Sequence, residues 1–246
     1  MRRFILNPAD FAGDEVTITG ELYHYMARVL RLKKGCRIRL ADGAGREYAG
    51  CVSRVDGDSL SVVLEGKEIC QESVMAPAIT IFQGLPRGDR LDLILQKCTE
   101  LGAAAIIPFA AARSTARVPA ARLAEKMERW WRITREAARQ SNRSSVPEIS
   151  YAGDLAQTLR LADQPVKLLL WEESEPGTLR RTLAENDPPE RLAVIVGPEG
   201  GLTAEEAAGA VKCGFIPVSL GRRIVRTETA GPAILAILQY HWGDMG

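Results

Sequence analysis

Apolar and polar residues alternate in short runs along the first third of the chain. Val16-Thr17-Ile18, Arg37-Ile38-Arg39-Leu40, Tyr48-Ala49-Gly50-Cys51-Val52 and Leu60-Ser61-Val62-Val63-Leu64 each read as a half-buried strand. Lys34-Gly35, Asp42-Gly43 and Asp56-Gly57-Asp58 separate them as turns. One helix, from about Glu21 to Leu30, interrupts the series. Short strands closed by tight turns predict a small β-barrel over residues 1–72. Residues 71–78, with Met75-Ala76-Pro77, lose the periodicity and read as a linker. Over 73–246 the pattern becomes strand then helix. Ala78-Ile79-Thr80-Ile81-Phe82, Ala104 to Pro108, Val166 to Leu170 and Leu192 to Val196 are continuous apolar strands. Asp89 to Leu101, Arg122 to Ser141 and a segment from about Thr227 to Trp242 are helical. This order predicts an α/β domain whose parallel sheet is covered on both faces.

Composition narrows the class. With 46% hydrophobic and 26% charged residues, the 246-residue chain is an ordinary globular protein of one large or two modest domains. Five scattered cysteines without a C-x-x-C pair, and only two histidines, supply no zinc set. No G-x-S-x-G accompanies those histidines, which argues against a serine hydrolase. Free thiols and the lack of a leader-like or bilayer-spanning apolar run point to a cytoplasmic protein with no membrane partner.

A net charge of +1 excludes a globally basic nucleic-acid binder but conceals strong patterning. Arg113 to Pro147 holds nine basic and three acidic residues, and Glu21 to Arg46 holds seven against two. Glu148 to Ala210 is acidic, twelve against five. Arg132, Arg135, Arg139 and Arg143 are spaced 3, 4 and 4 apart, so a helix reaching residue 143 carries all four on one face. Leu123, Met127, Trp130, Trp131, Thr134 and Ala138 then form the buried stripe. The Arg face reads as a phosphate-tracking surface or as a plain solvated face. Arg28, Arg31, Lys33 and Lys34 at a helix C-terminus read the same two ways.

Three loops carry candidate chemistry. In Val196-Gly197-Pro198-Glu199-Gly200-Gly201-Leu202-Thr203 a buried strand runs through glycines into a helix, with Thr203 and Glu206 spaced as a capping box. Such a turn lets backbone approach a ligand closely. It is neither a Walker loop nor G-x-G-x-x-G. Leu220-Gly221-Arg222-Arg223-Ile224-Val225-Arg226-Thr227-Glu228-Thr229-Ala230 is a second strand–glycine–helix passage, with Arg226 and Glu228 at its mouth. Gln83-Gly84-Leu85-Pro86-Arg87-Gly88-Asp89-Arg90 is the third, and Lys97 and Glu100 follow on its helix as an i,i+3 pair.

Taken in order, these segments resemble the ribosomal RNA small subunit methyltransferase E family of the SPOUT methyltransferases. Arg28-Val29-Leu30-Arg31 and Asp42-Gly43, then Gln83-Gly84 and Gln96-Lys97 through Glu100-Leu101-Gly102, carry the first part of the likeness. Gln140-Ser141, Arg143 and Val146-Pro147-Glu148-Ile149 carry the middle. Gly197-Pro198-Glu199-Gly200-Gly201 and Arg226-Thr227-Glu228-Thr229-Ala230 carry the end, so essentially the whole chain is covered. The resemblance implies a PUA-like RNA-binding β-barrel (1–72) and a SPOUT parallel-sheet domain with a deep trefoil knot (73–246), paired as a homodimer. It implies methyl transfer from S-adenosylmethionine to N3 of one uridine in 16S rRNA of the small ribosomal subunit, releasing S-adenosylhomocysteine and needing no metal. The cofactor is expected at Leu170, Trp171, Gly197, Pro198, Glu199, Gly200, Gly201, Leu220, Gly221, Ile224, Val225, Arg226 and Thr229. RNA is expected at Arg28, Arg31, Arg87, Arg132, Arg139 and Arg143. Arg226 is the expected stabiliser of a uracil anion, with Glu228 or Glu100 as the base. Two alternatives stand beside this reading: the same fold acting on another RNA or atom, such as a tRNA ribose, and a non-catalytic RNA-binding or ribosome-assembly protein.

Overall fold

The computed structural model describes residues 3–11, 13–43, 46–69 and 77–245. The linker expected at 71–78 falls almost entirely outside them. The chain divides into two compact units, Met1–Glu72 with Ala138–Val146, and Ser73–Ala137 with Pro147–Gly246.

The first unit contains β1 (Arg3–Ile5), β2 (Glu15–Thr19), α1 (Gly20–His24), a turn of π-helix (Tyr25–Val29), β3 (Arg37–Ala41), β4 (Arg46–Val55) and β5 (Ser59–Ile69). They form one sheet in the order β1-β3-β4-β5-β2, antiparallel except for the β1–β3 pair. Register shifts at Ala49/Gly50 and Val52/Arg54 bend β4, and bulges of this kind increase twist. Gly50 lies inside the bend, where an added Cβ would stand 2.6 Å from Val62 Cγ1. The sheet curls into a half-barrel, as the strand pattern of a small barrel suggests, and among the described residues β1 and β2 do not pair. The open side is filled instead by α1 and the π turn. Tyr23 and Met26 are buried there with Phe4, Val16, Ile18, Ile38, Leu40 and Leu60, and the Tyr23 hydroxyl donates to the Asp56 carbonyl at 2.7 Å.

Residues 138–146 complete this unit. Ala138 and Val146 pack with Ile5 and Ala41. The Val146 amide donates to the Gly43 carbonyl at 3.0 Å, and the Arg139 guanidinium lies 4.8 Å from the Tyr25 ring centroid.

The second unit contains β6 (Ala78–Gly84), α2 (Arg90–Glu100), β7 (Ala105–Phe109), α3 (Ala120–Gln140), β8 (Glu148–Ile149), α4 (Leu155–Leu161) and β9 (Val166–Leu170). It continues with α5 (Thr178–Glu185), β10 (Arg191–Val196), α6 (Ala204–Lys212), β11 (Ile216–Val218) and α7 (Thr227–Trp242). Its six strands are all parallel, in the order β11-β9-β10-β6-β7-β8. Apolar runs in β6, β9 and β10 suit a sheet buried on both sides. One face packs on α2, α3, α5 and α7 through Ile94, Leu95, Trp130, Leu183, Ile234 and Leu238. The other packs on α4 and α6 through Leu155, Ala207 and Ala210.

Two expectations about α3 change. It stops at Gln140, because Asn142 adopts φ 60° and the Arg143 amide turns back to the Ala138 carbonyl at 3.0 Å. Arg143 therefore leaves the helical Arg face, and its Nη2 donates to Ser145 Oγ at 3.0 Å. Trp130, Thr134 and Ala138 are buried as expected, but Trp131 is 42% exposed with Arg135 stacked 5.0 Å over its ring. Adjacent helical positions diverge by about 100°, so both tryptophans cannot face one core.

Candidate functional site

β6 and β10 lie side by side, yet their outgoing connections part. The chain after β6 enters α2 on one face, and the chain after β10 enters α6 on the other. Such a switch point opens a crevice at the carboxyl ends of parallel strands. The three glycine-bearing loops singled out in the sequence all arise at this edge of the sheet.

Backbone packing here is very close. A Cβ on Gly84 would stand 2.6 Å from both Pro198 N and Pro198 Cδ. Gly201 sits at φ +67°, and its amide donates to the Pro198 carbonyl at 2.9 Å, closing the turn. The expected capping box is present: Thr203 Oγ1 accepts from the Glu206 amide at 3.2 Å and Glu206 Oε2 accepts from the Thr203 amide at 2.9 Å. At the neighbouring strand ends, the Trp171 amide donates to the Val218 carbonyl at 3.0 Å, and Leu170 and Leu220 pack on the core edge. Gly221 adopts φ +113° with open space around it. The loop beyond it is exposed, with Ile224 91% and Val225 36% accessible.

Charged groups ring the mouth. Glu199 Oε1 accepts from the Arg87 amide at 2.9 Å and from Arg90 Nη1 at 2.5 Å. Arg90 Nε also lies 3.7 Å from Glu228 Oε1, and Arg226 Nη1 lies 3.9 Å from the same oxygen. Glu228 Oε2 is buried and has no partner among the described residues. Arg226 precedes α7, its carbonyl accepting from the Thr229 and Ala230 amides, while its side chain is 79% exposed. Arg90 closes the third loop of the sequence, which by itself assigns it no role. The signal was a cation in the first turn of a helix, where the macrodipole disfavours it unless an acidic partner stands close.

Partial burial alone would raise the Glu199 carboxyl pKa, but the Arg87 amide and the Arg90 guanidinium outweigh it and hold the group below its ordinary range. A depressed carboxyl stabilises the fold above its unfolded pKa, about 4.3, and that contribution vanishes as pH falls through the folded value. The melting temperature of the wild type is therefore expected to exceed that of Glu199→Gln by a constant margin above about pH 5. The margin should shrink as the pH drops below 4; a flat difference down to pH 3 counts against the Glu199 linkage.

Of the other candidates, Arg87 borders the mouth through its amide, and the rest lie elsewhere. Glu100 ends α2 whereas Arg90 begins it, so about 15 Å of helix separates Glu100 from the crevice. Its carboxylate pairs with Lys97 Nζ at 2.8 Å. Arg87 is exposed and its Nε donates to Thr115 Oγ1 at 2.7 Å. Arg132 is exposed on α3. Arg139 and Arg143, both half-buried, lie in the 138–146 segment of the first unit, in which Arg28 and Arg31 are exposed, the latter at φ 52°.

Comparison with known proteins agrees with this anatomy. Residues 74–239 match the RNA methyltransferase domain family and residues 18–65 match the RNA methyltransferase PUA domain. Ribosomal RNA small subunit methyltransferase E of Bacillus subtilis is 35% identical over 230 residues, covering 91% of this chain and 89% of that protein. The Synechocystis protein of the same name is 31% identical over 236 residues, covering 95% and 76%. The crystal structure of the Neisseria gonorrhoeae protein of that name, bound to S-adenosyl methionine, superposes with a TM-score of 0.84 at 31% identity over 100% of both chains.

Proposed function

The chain belongs to the ribosomal RNA small subunit methyltransferase E family, and from that premise we propose that it transfers a methyl group from S-adenosylmethionine to N3 of a specific uridine in 16S rRNA. The gathering of the glycine-bearing loops at the carboxyl ends of the parallel strands β6, β10 and β11 is the observation that carries the reading. Gly197, Pro198, Gly200 and Gly201 offer a backbone cradle, Gly221 borders open space, and Leu170, Trp171 and Leu220 provide apolar edges. Such a cradle fits a nucleoside held by backbone groups and a flat apolar wall. Glu199, Ile224, Val225, the Arg226 backbone and Thr229 complete the proposed cofactor contacts.

When bound, the cofactor supplies an electrophilic methyl group on a sulfonium. The chain's own task is to position the acceptor in line and to free its lone pair. Glu228, with Oε2 unpartnered, is the proposed acceptor of the N3 proton. The exposed Arg226 guanidinium donates to a uracil carbonyl oxygen as negative charge develops. Arg90, whose Nε lies 3.7 Å from Glu228 Oε1, is the proposed orienting partner of that carboxylate.

Arg28, Arg31, Arg87, Arg132, Arg139 and Arg143 are the proposed RNA contacts, gripping phosphates without reading bases. The target uridine has to leave its stack to be reached. Thr227 at the start of α7 is tied to the ends of both β6 and β10, which supports reading the C-terminal passage as the deep trefoil knot. Leu93 on α2 and Ile237 and Tyr240 on α7 are exposed apolar side chains on two helices that pack together, as a homodimer surface would be. Among the described residues no helix is long and apolar enough to cross a membrane, and the cytoplasm is the proposed compartment.

Mass spectrometry of 16S rRNA tests the proposal. Small subunits lacking the modification, incubated with the protein and S-adenosylmethionine, are expected to gain one methyl group on uridine N3. Cofactor binding without that product moves the activity to another RNA. No cofactor binding leaves a non-catalytic RNA-binding protein.

A further inference from the structure

We infer that Gln83 and Thr227 form a lock that fixes the cofactor loops before the cofactor arrives; the identity of the ligand rests on the functional reading above. Gln83 lies in β6 and its side chain is fully buried at 0% exposure. Its neighbours in that strand are Ile79, Ile81 and Phe82, each also inaccessible. An amide in such surroundings is desolvated at a cost that only hydrogen bonds return. Nε2 donates to the Gly84 carbonyl and to Thr227 Oγ1, both at 2.9 Å, but Oε1 is buried without a partner among the described residues. A leucine would fill this position without stranding an acceptor. The amide thus serves geometry more than stability.

The proton inventory gives the lock a direction. Thr227 is 5% exposed, and its single hydroxyl proton goes to the Gly197 carbonyl at 2.7 Å. Its oxygen must therefore accept from Gln83. Both amide protons of Gln83 are then committed. A one-way chain of donors joins the end of β6, the glycine turn after β10 and the first residue of α7. The Gly84–Pro198 approach clamps the same two strand ends from the backbone side. Thr227 orients the Gly197 carbonyl, and so the peptide that opens the cradle. Gln83 and Thr227 are positioning residues. Loops ordered in advance lose less freedom on binding, which strengthens affinity for the ligand without any direct contact.

Calorimetry with S-adenosylmethionine and steady-state methylation by the full-length protein, using undermodified small subunits as substrate, test this. Gln83→Leu removes the amide and Thr227→Val removes the hydroxyl, each at roughly constant volume. Each is expected to raise Kd and KM for S-adenosylmethionine by about 10–100-fold, as for a buried polar group left unpaired. KM for the RNA substrate should stay within about twofold, because no RNA contact is altered. Thr227→Ser keeps the donor and acceptor and should restore cofactor affinity to within about threefold of wild type. Wild-type cofactor affinity in Gln83→Leu and Thr227→Val overturns the lock. So does a Thr227→Ser protein as impaired as Thr227→Val, or a parallel rise of both KM values with a lowered Tm, which marks general loosening. A wild-type protein that binds no S-adenosylmethionine overturns the functional reading itself, and is told apart because it fails before any variant is compared.

Discussion

Arg226→Ala is expected to lower kcat for methyl transfer by roughly 100–1,000-fold, the range for removing one preorganised donor from a developing anion. The guanidinium is 79% exposed and lies loosely, 3.9 Å, from Glu228 Oε1, which also has Arg90 at 3.7 Å, so its removal is not a packing change. The backbone role at the start of α7, where the Arg226 carbonyl accepts from the Thr229 and Ala230 amides, survives substitution. Cofactor affinity should then change by no more than a few-fold. Arg226→Lys keeps the charge but not the planar fork, and should recover only part of the rate. Single-turnover kinetics at saturating cofactor and RNA read the effect directly. A loss under tenfold in Arg226→Ala would remove this residue from the chemistry and leave Glu228 and positioning alone to account for the rate.

Gly84→Ala is expected to abolish measurable cofactor binding and to cost about 2–3 kcal/mol of stability through overpacking. The added methyl meets the Pro198 nitrogen and ring carbon at 2.6 Å and the Gly197 carbonyl carbon at 3.0 Å. Two of these three are backbone atoms, so no rotamer change relieves the clash. The strand ends have to part, and the Gly197 cradle moves with them. Gly88→Ala is the control: its Cβ meets nothing within 4 Å, although its φ of +61° carries modest strain. It should retain cofactor binding. Calorimetric binding and thermal melts of the two variants separate the steric effect at Gly84 from the mere loss of a loop glycine.

Much of this arrangement was legible in residue order. The apolar runs of β6, β9 and β10 and the amphipathic face of α3 announce themselves because burial is periodic. Glycine-rich turns mark the strand-to-helix passages because they too are local features of the sequence. What escaped notice depends on contacts distant in sequence. β8 is only two residues long and α4 seven, too short for a period to show. Tyr23 and Met26 of α1 and the π turn share the core of the half-barrel, a fact of packing and not of alternation. Glu100 looked like a site residue from its motif, yet the direction of α2 takes it to the far edge of the sheet. Arg90, Gln83 and Thr227 gain meaning only once residues more than a hundred positions apart are brought together.

The segment 138–146 sets the order in which the protein can be made. Ala138 and Val146 close a small apolar cluster with Ile5 and Ala41, and the Val146 amide pairs with Gly43. A chain emerging from the ribosome presents all five strands of the first sheet long before these residues exist. N-terminal domains commonly fold as soon as they emerge. Here the first unit must wait with one edge of its core uncovered until residue 146 has cleared the exit tunnel, by which point more than half of the chain has been synthesised. A gene cut at the apparent boundary near residue 72 would yield an N-terminal fragment that never receives its last piece.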